Sequence, residues 1–176
     1  MQSIVQIFEI ITRQRAPGDL EYNPAIAVIA GAVLISLGTY INSGLAQLST
    51  PMLISAVQVL GQAMLTFVLL NVQGKGNRFV QTISAIFGVT VIVQVMALLT
   101  TPLPGGPAIA MLLNFWGFFI SVIILKDALE SGMLVAILWT ITISIGVFLM
   151  LFVMFPDFEA FFKEIMEQVA QESATN

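Results

Sequence analysis

The sequence predicts an all-α integral membrane protein with five transmembrane helices and a short amphipathic interfacial helix at each end. Hydrophobic residues occupy 58% of the 176 positions and charged residues only 9%, whereas soluble domains average about 25% charged residues. The charges are clustered, which leaves three long uncharged runs at 22–74, 79–125 and 131–156. So few charges cannot cover a water-soluble globule, and the runs are long enough to cross a bilayer.

The uncharged runs divide into five spans at clusters of turn-forming residues. A transmembrane helix needs about 20 apolar residues, so the first two runs are each too long for one crossing and too short for three. Turn-forming residues at 42–51 break the first run, and the proline- and glycine-rich segment 100–107 breaks the second. The predicted helices are 24–42, 52–72, 79–101, 107–125 and 131–155.

Both ends of the chain show a helical pattern with one apolar face. Residues 2–13 separate polar from apolar side chains, which predicts a helix that lies in the membrane interface or packs against the bundle. Residues 157–172 predict an acidic tail helix that lies on lipid or docks on a partner protein. The apolar stripe of this tail consists of Phe158, Phe161, Phe162, Ile165 and Val169.

Basic residues concentrate on one side of the predicted bundle. Five crossings place the N-terminal segment and the loops at 73–78 and 126–130 on the same side, and the C-terminal tail on the other. The positive-inside rule therefore predicts a cytoplasmic N-terminus and a periplasmic or extracellular C-terminus. The first side holds Arg13, Arg15, Lys75, Arg78 and Lys126, against Lys163 alone on the second.

The residue types that most catalysis requires are missing. The sequence contains no histidine and no cysteine, which removes most metal, haem and thiol chemistry. No predicted span holds a charged residue, although proton relays and ion-coupled transport depend on intramembrane ionisable groups. We therefore expect a protein that is not an enzyme and that takes no cofactor, metal or nucleic acid.

Four uncharged amides within the spans are the remaining candidates for a site. An unpartnered amide in hydrocarbon costs several kcal/mol, so each should face the bundle interior. Interhelical hydrogen bonding is the plainer interpretation, and a polar cavity for a small solute or a lipid headgroup is the other. Convergence on one cavity would favour transport, and pairing across tight interfaces would count against it. The residues are Gln58, Gln62, Gln94 and Asn114.

Small residues recur at every fourth position of the fifth span. Such stripes allow helix backbones to approach closely, because lipid supplies no hydrophobic force between helices. We expect this stripe to serve the internal packing of the bundle, with recruitment of a second copy or another membrane protein as the alternative. Its members are Gly132, Ala136, Thr140 and Ser144.

The entry into the first span resembles that of the Yip1-domain membrane proteins. Asp19, Leu20, Tyr22 and Pro24 match the family's Asp-Leu-Tyr-Gly-Pro signature, with one residue inserted before the tyrosine and Asn23 in place of glycine. The family's Gly/Tyr-rich turn in the third helix is absent. The resemblance implies five helices and a cytosolic N-terminus. The chain lacks the long N-terminal region of eukaryotic members, so it looks like a bacterial relative, with no basis for their association with Rab GTPases.

These observations lead to one functional hypothesis and one alternative. We expect a non-catalytic accessory or scaffold subunit of a bacterial cytoplasmic membrane, because reactive groups are missing while packing stripes are abundant. Its partners would be membrane lipids and another membrane protein or a second copy of itself. The alternative is a small transporter or channel subunit, whose polar cavity is lined by the intramembrane glutamines and asparagine.

Overall fold

A computed structural model of the chain describes residues 23–43 and 50–155. These ranges are helical and contain no strand, and each of the five long helices has the length and apolar composition needed to cross a membrane. The prediction of five long apolar helices is therefore confirmed, whereas the predicted helices at 2–13 and 157–172 lie outside the described residues. The helices are α1 Pro24–Ser43, α2 Pro51–Val72, α3 Phe79–Thr100, α4 Gly106–Leu129 and α5 Met133–Met154, with a short 3-10 turn at Gly76–Arg78 before α3.

The fourth helix ends four residues later than the sequence suggested, and every other end differs by at most two residues. Lys126 and Asp127 lie in its last turn. A helix end tolerates charged residues, and a cation such as Lys126 interacts favourably with the helix dipole there. The helix stops at Glu130, which has the left-handed conformation with φ 52°. The Ser131 N–H then donates back to the Lys126 carbonyl at 3.1 Å, as in a Schellman motif.

The five helices form a ring in which each packs mainly on two neighbours. Helix α1 packs on α2 and α3, α3 packs on α4, and α5 closes the ring by packing on α4 and α2. The circular order is therefore α1, α2, α5, α4, α3. Residues 82–89 of α3 are all buried, which makes this helix the most enclosed of the five.

Neighbouring helices of the ring approach closely at several glycines. An added Cβ on Gly38 of α1 would lie 2.9 Å from Ser55 Oγ of α2, and one on Gly146 of α5 would lie 2.7 Å from Leu65 Cδ1 of α2. Neighbouring helices also approach closely at Gly31, Gly61 and Gly117. None of these glycines falls in the predicted four-residue stripe of the fifth span, so that stripe did not identify these contacts.

Apolar side chains fill the half of the bundle next to the 73–78 loop, which we call the closed half. Helices α2, α4 and α5 meet there through buried aliphatic residues, and Leu70 at its centre is 0% exposed. The cluster consists of Leu69, Leu70, Leu125, Ala128, Leu129 and Ile143.

A charged cluster joins the two loops at the end of the closed half. The Glu130 carboxylate accepts hydrogen bonds from Lys75 Nζ and Arg78 Nη2. Arg78 Nη1 also donates to the backbone carbonyls of Asp127 and Ala128, at 3.2 and 3.4 Å. These carbonyls belong to the last turn of α4, and that of Asp127 also accepts from the Glu130 N–H at 3.3 Å. The cluster thus holds the two loops at the same end of the bundle, as a five-crossing topology requires.

Candidate functional site

Four of the five helices line one cavity of about 330 Å³. Helices that are not ring neighbours, such as α1 and α5, both contribute to its wall, so the cavity lies inside the ring. The lining residues are Leu34 and Gly38 of α1, Ser55, Gln58, Val59 and Gln62 of α2, Thr90 and Gln94 of α3, and Ile143, Ser144 and Val147 of α5.

The polar lining extends from the middle of the bundle away from the closed half. Gln62 and Thr90 lie near the centres of their helices, and Gln58 and Gln94 lie about one turn further from the 73–78 loop. With a rise of 1.5 Å per residue, the polar groups from Gln62 to Ser55 cover about 10 Å along the bundle axis. We call this part of the bundle the cavity half.

Three of the four candidate amides come together in this cavity. Gln58 and Gln62 are one turn apart on the same face of α2, and Gln94 reaches the cavity from α3. The Gln94 Oε1 atom is buried and has no hydrogen-bond partner in the described part of the chain. No hydrogen bond joins Gln58 or Gln62 to another described residue either. The interhelical bonds that the plainer interpretation required are therefore not made by these side chains.

The exposure of Gln58 shows that this side chain faces open space within the ring. Its neighbours on the same helix face are Ser55 and Gly61, which are buried, and Gln62, which is half-buried. Gln58 is nevertheless exposed and lines the cavity. Because the residues around Gln58 on this face are buried or half-buried, its exposed surface is the surface that borders the cavity.

Asn114 does not join the other amides. It is exposed on α4, and its Nδ2 donates to the Ala110 carbonyl one turn earlier in the same helix at 2.8 Å. A short amide can bond to its own backbone in this way without facing the bundle interior. The expectation that all four amides face inward therefore holds for the glutamines and not for Asn114.

Three hydroxyl groups complete the polar lining. Ser55, Thr90 and Ser144 each donate their hydrogen to the backbone carbonyl one turn earlier in their own helix, at 2.9, 2.8 and 2.9 Å. Ser55 Oγ also accepts from Asn42 Nδ2 at 3.0 Å, across the α1–α2 contact. Sequence reasoning did not single out Ser55 or Thr90. Their spacing could have identified them, because polar residues at i, i+3 and i+7 in α2, and at i and i+4 in α3, lie on one face of an otherwise apolar helix.

The small-residue stripe of α5 has members in different surroundings. Ala136 is 0% exposed and Thr140 is half-buried, whereas Gly132 precedes the helix and has open space around it. Ser144 lines the cavity. Part of the stripe is therefore enclosed within the chain itself.

The described charged side chains lie away from the cavity. None of the residues that line it is charged, and the described residues contain no cluster of acidic residues that could hold a metal ion. At the closed end, the hydrogen bond from Lys75, then that from Arg78, holds the pKa of Glu130 below its usual value of 4.5. The described lining can thus offer hydrogen bonds but no charge.

Two sets of candidate residues fall largely outside the described part of the chain. Pro24 is the first residue of α1, while Asp19, Leu20, Tyr22 and the tail stripe from Phe158 to Val169 lie outside it. The resemblance to Yip1-domain proteins therefore stays a prediction, as does a docking role for the tail. No family model, curated protein or solved structure matches the chain.

Proposed function

We propose that this chain is a small transporter or channel subunit, which holds a polar solute in the cavity of its five-helix ring. One observation carries the proposal: Gln58, Gln62 and Gln94 converge on the same cavity without bonding to one another or to other described residues. This is the arrangement that distinguishes a polar pathway from amides that merely fasten helices together.

The energetics of buried amides support a hydrated or solute-filled cavity. An amide without a hydrogen-bond partner costs about 1–3 kcal/mol in proteins and more in hydrocarbon. Polar groups within membrane helices therefore face a partner or a water-filled space. The buried Gln94 Oε1 carries this cost unless water or a solute supplies the missing bond.

A buried hydroxyl extends the polar groups beyond the cavity. Thr66 lies one turn from Gln62 toward the closed half and is 0% exposed. Its Oγ1 has no partner among the described residues, although Thr82, Thr90 and Thr140 all bond to the carbonyl one turn earlier. We propose that the pathway continues past Thr66 when the apolar cluster of the closed half separates.

The proposed location is a bacterial cytoplasmic membrane with the closed half toward the cytoplasm. Lys75, Arg78 and Lys126 lie at or near the end of the closed half, and basic loop residues favour the cytoplasmic side. The cavity half then lies toward the periplasm or cell exterior. The lining hydroxyls bond to backbone carbonyls rather than to a base, so the proposed activity is passage of the solute and not its chemical conversion.

Cysteine labelling tests whether water reaches the cavity. Because the sequence contains no cysteine, Gln58→Cys and Ser144→Cys each introduce a single thiol. We expect a membrane-impermeant thiol reagent to label both in membrane vesicles, and to do so from the side opposite the 73–78 loop. Thiols need water to ionise and react, so labelling reports hydration directly.

Asn114→Cys is the matched control, because it also replaces an amide in a helix centre but lies outside the cavity. We expect this thiol to react at least about tenfold more slowly, since a thiol in hydrocarbon stays protonated. Equal and slow labelling at Gln58→Cys, Ser144→Cys and Asn114→Cys would mean a dry cavity and would contradict the proposal.

The accessory or scaffold role stays a prediction without an observation of its own in the described residues. The tail on which it depends lies outside them, and Ala136 of the small-residue stripe is fully buried within the chain. A transporter or channel subunit can still assemble with a second copy or another membrane protein.

A further inference from the structure

Building on the proposed function, we infer that the cavity takes uncharged solutes that carry several N–H or O–H donors, the chemistry shared by ureas and small polyols. The hydrogen-bonding groups of the lining that remain free determine which solutes the cavity accepts and which it rejects.

The lining hydroxyls can only accept hydrogen bonds from a solute. Each has one hydrogen, and in Ser55, Thr90 and Ser144 that hydrogen already goes to a backbone carbonyl. Ser55 Oγ also receives a hydrogen from Asn42. The oxygens of Thr90 and Ser144 therefore face the cavity as acceptors, and a solute must bring its own donors to use them.

The glutamines offer both kinds of hydrogen bond. Each primary amide has one carbonyl oxygen and two N–H donors, whichever way its plane is turned. Gln94 Oε1 is the acceptor most in need of a partner, because it is buried and unpaired within the described residues. A solute that fits must therefore present several donors together with at least one acceptor, as a urea or a polyol does.

Charged solutes match this lining poorly. Among the described residues, the lining contains no lysine, arginine, aspartate or glutamate, so an ion would find no countercharge from them in a low-dielectric site. A monovalent cation could use the amide and hydroxyl oxygens, but the N–H groups of the same three glutamines oppose it. An anion could use the N–H groups, but the hydroxyl oxygens and Gln94 Oε1 oppose it.

The size of the cavity agrees with a small solute. A volume of about 330 Å³ is large enough to hold several waters. It is therefore enough for a urea or glycerol molecule with part of its hydration shell.

Solute flux into proteoliposomes tests the inference with the full chain. Vesicles containing the protein are mixed with an osmotic excess of urea, glycerol, sodium chloride or potassium chloride, and reswelling is followed by light scattering. We expect urea and glycerol to enter faster than in protein-free vesicles, and sodium and potassium chloride to enter no faster. Gln94→Leu should slow entry of both neutral solutes by about tenfold, because it removes a hydrogen-bonding group from the site.

Two further variants separate loss of the site from loss of the fold. Asn114→Leu also replaces an amide by an apolar side chain, but outside the cavity, and should leave flux unchanged. Gln94→Asn keeps the amide one methylene shorter and should retain more flux than Gln94→Leu. Equal loss in Gln94→Leu and Asn114→Leu would contradict the assignment of the site.

The outcomes distinguish the inference from the function on which it rests. Faster entry of sodium or potassium chloride, with neutral solutes excluded, would overturn the solute class and leave a channel subunit. No flux of any solute, together with unlabelled cavity cysteines, would overturn the proposed function itself. Flux of neutral solutes that Gln94→Leu does not slow would overturn the role of the Gln94 amide.

Discussion

The two halves of the bundle are built from different side chains. In the closed half, buried aliphatic residues of α2, α4 and α5 meet in one apolar cluster. In the cavity half, the same α2 presents Ser55, Gln58 and Gln62 to an open space. One helix therefore changes from polar to apolar interior contacts along its length, between Gln62 and Leu69.

The difference indicates that stability and solute binding are separated along the bundle axis. The closed half adds the charged cluster of Lys75, Arg78 and Glu130 to its packed aliphatic contacts. In the cavity half, the amides of Gln58, Gln62 and Gln94 have no bonded partner among the described residues, which costs stability unless water or a solute compensates. Substitutions in the two halves should therefore have opposite effects on stability.

The largest expected effect is the loss of packing in the closed half. Leu70→Ala removes a side chain that is 0% exposed, and truncations of this kind lower the free energy of unfolding by about 2–5 kcal/mol because they leave a void. Gln62→Leu, in the cavity half, should leave it unchanged or raise it by about 1 kcal/mol, since it removes an unpaired amide of similar size. Unfolding of the purified protein in mixed micelles measures both.

Equal changes in the free energy of unfolding for Leu70→Ala and Gln62→Leu would contradict the proposed difference between the two halves. A strong destabilisation by Gln62→Leu would mean that its amide makes a stabilising bond, and the cavity half would then be a structural network and not a binding space. A neutral Leu70→Ala would mean that the closed half is loosely packed.

The turns at the two ends of the bundle give the next largest effect. At the end of the cavity half, an added Cβ on Gly106 would lie 2.1 Å from the Thr100 carbonyl oxygen, which belongs to the backbone and cannot move aside alone. Gly106→Ala should therefore lower the free energy of unfolding by about 1–3 kcal/mol. Gly132→Ala, at the end of the closed half, meets nothing within 4 Å and should be neutral.

Thermal unfolding of both glycine variants in the same detergent measures this difference. Equal melting temperatures for Gly106→Ala and Gly132→Ala would show that the 101–105 turn adapts to a side chain. The tight turn between α3 and α4 would then not help to fix the position of Gln94 near the end of α3.

The sequence predicted the helices better than their arrangement, for identifiable reasons. Hydropathy and turn residues locate a span because they act locally, and five of the helix ends differ by only one residue. The end of α4 differs most because the charge of Lys126 predicts a loop, whereas a helix C-terminus accommodates a cation.

The candidate site was only partly predictable because its residues lie on different helices. The shared face of Gln58 and Gln62 follows from their spacing, but the approach of Gln94 depends on the ring order, which no local pattern specifies. Asn114 and Gln94 have the same chemistry in the sequence. Only the packing of α3 and α4 turns one toward the cavity and leaves the other exposed.

The smallest expected effect is the pH dependence of the charged cluster at the closed end. The pKa of Glu130 lies below 4.5, chiefly because Lys75 and Arg78 hydrogen-bond to the carboxylate. Its contribution to stability is therefore present above the unfolded value and is lost as the pH falls through the lower folded value. The side chain is about half exposed, so the effect should be small and should weaken in high salt.

Glu130→Gln removes the charge and keeps the shape of the side chain, so it isolates this contribution. At neutral pH the variant should melt at a lower temperature than the unchanged protein, and the two melting curves should converge as the pH falls below 4.5. A gap that persists at low pH would show that Glu130 acts through its helix-ending conformation, with φ 52°, and not through its charge.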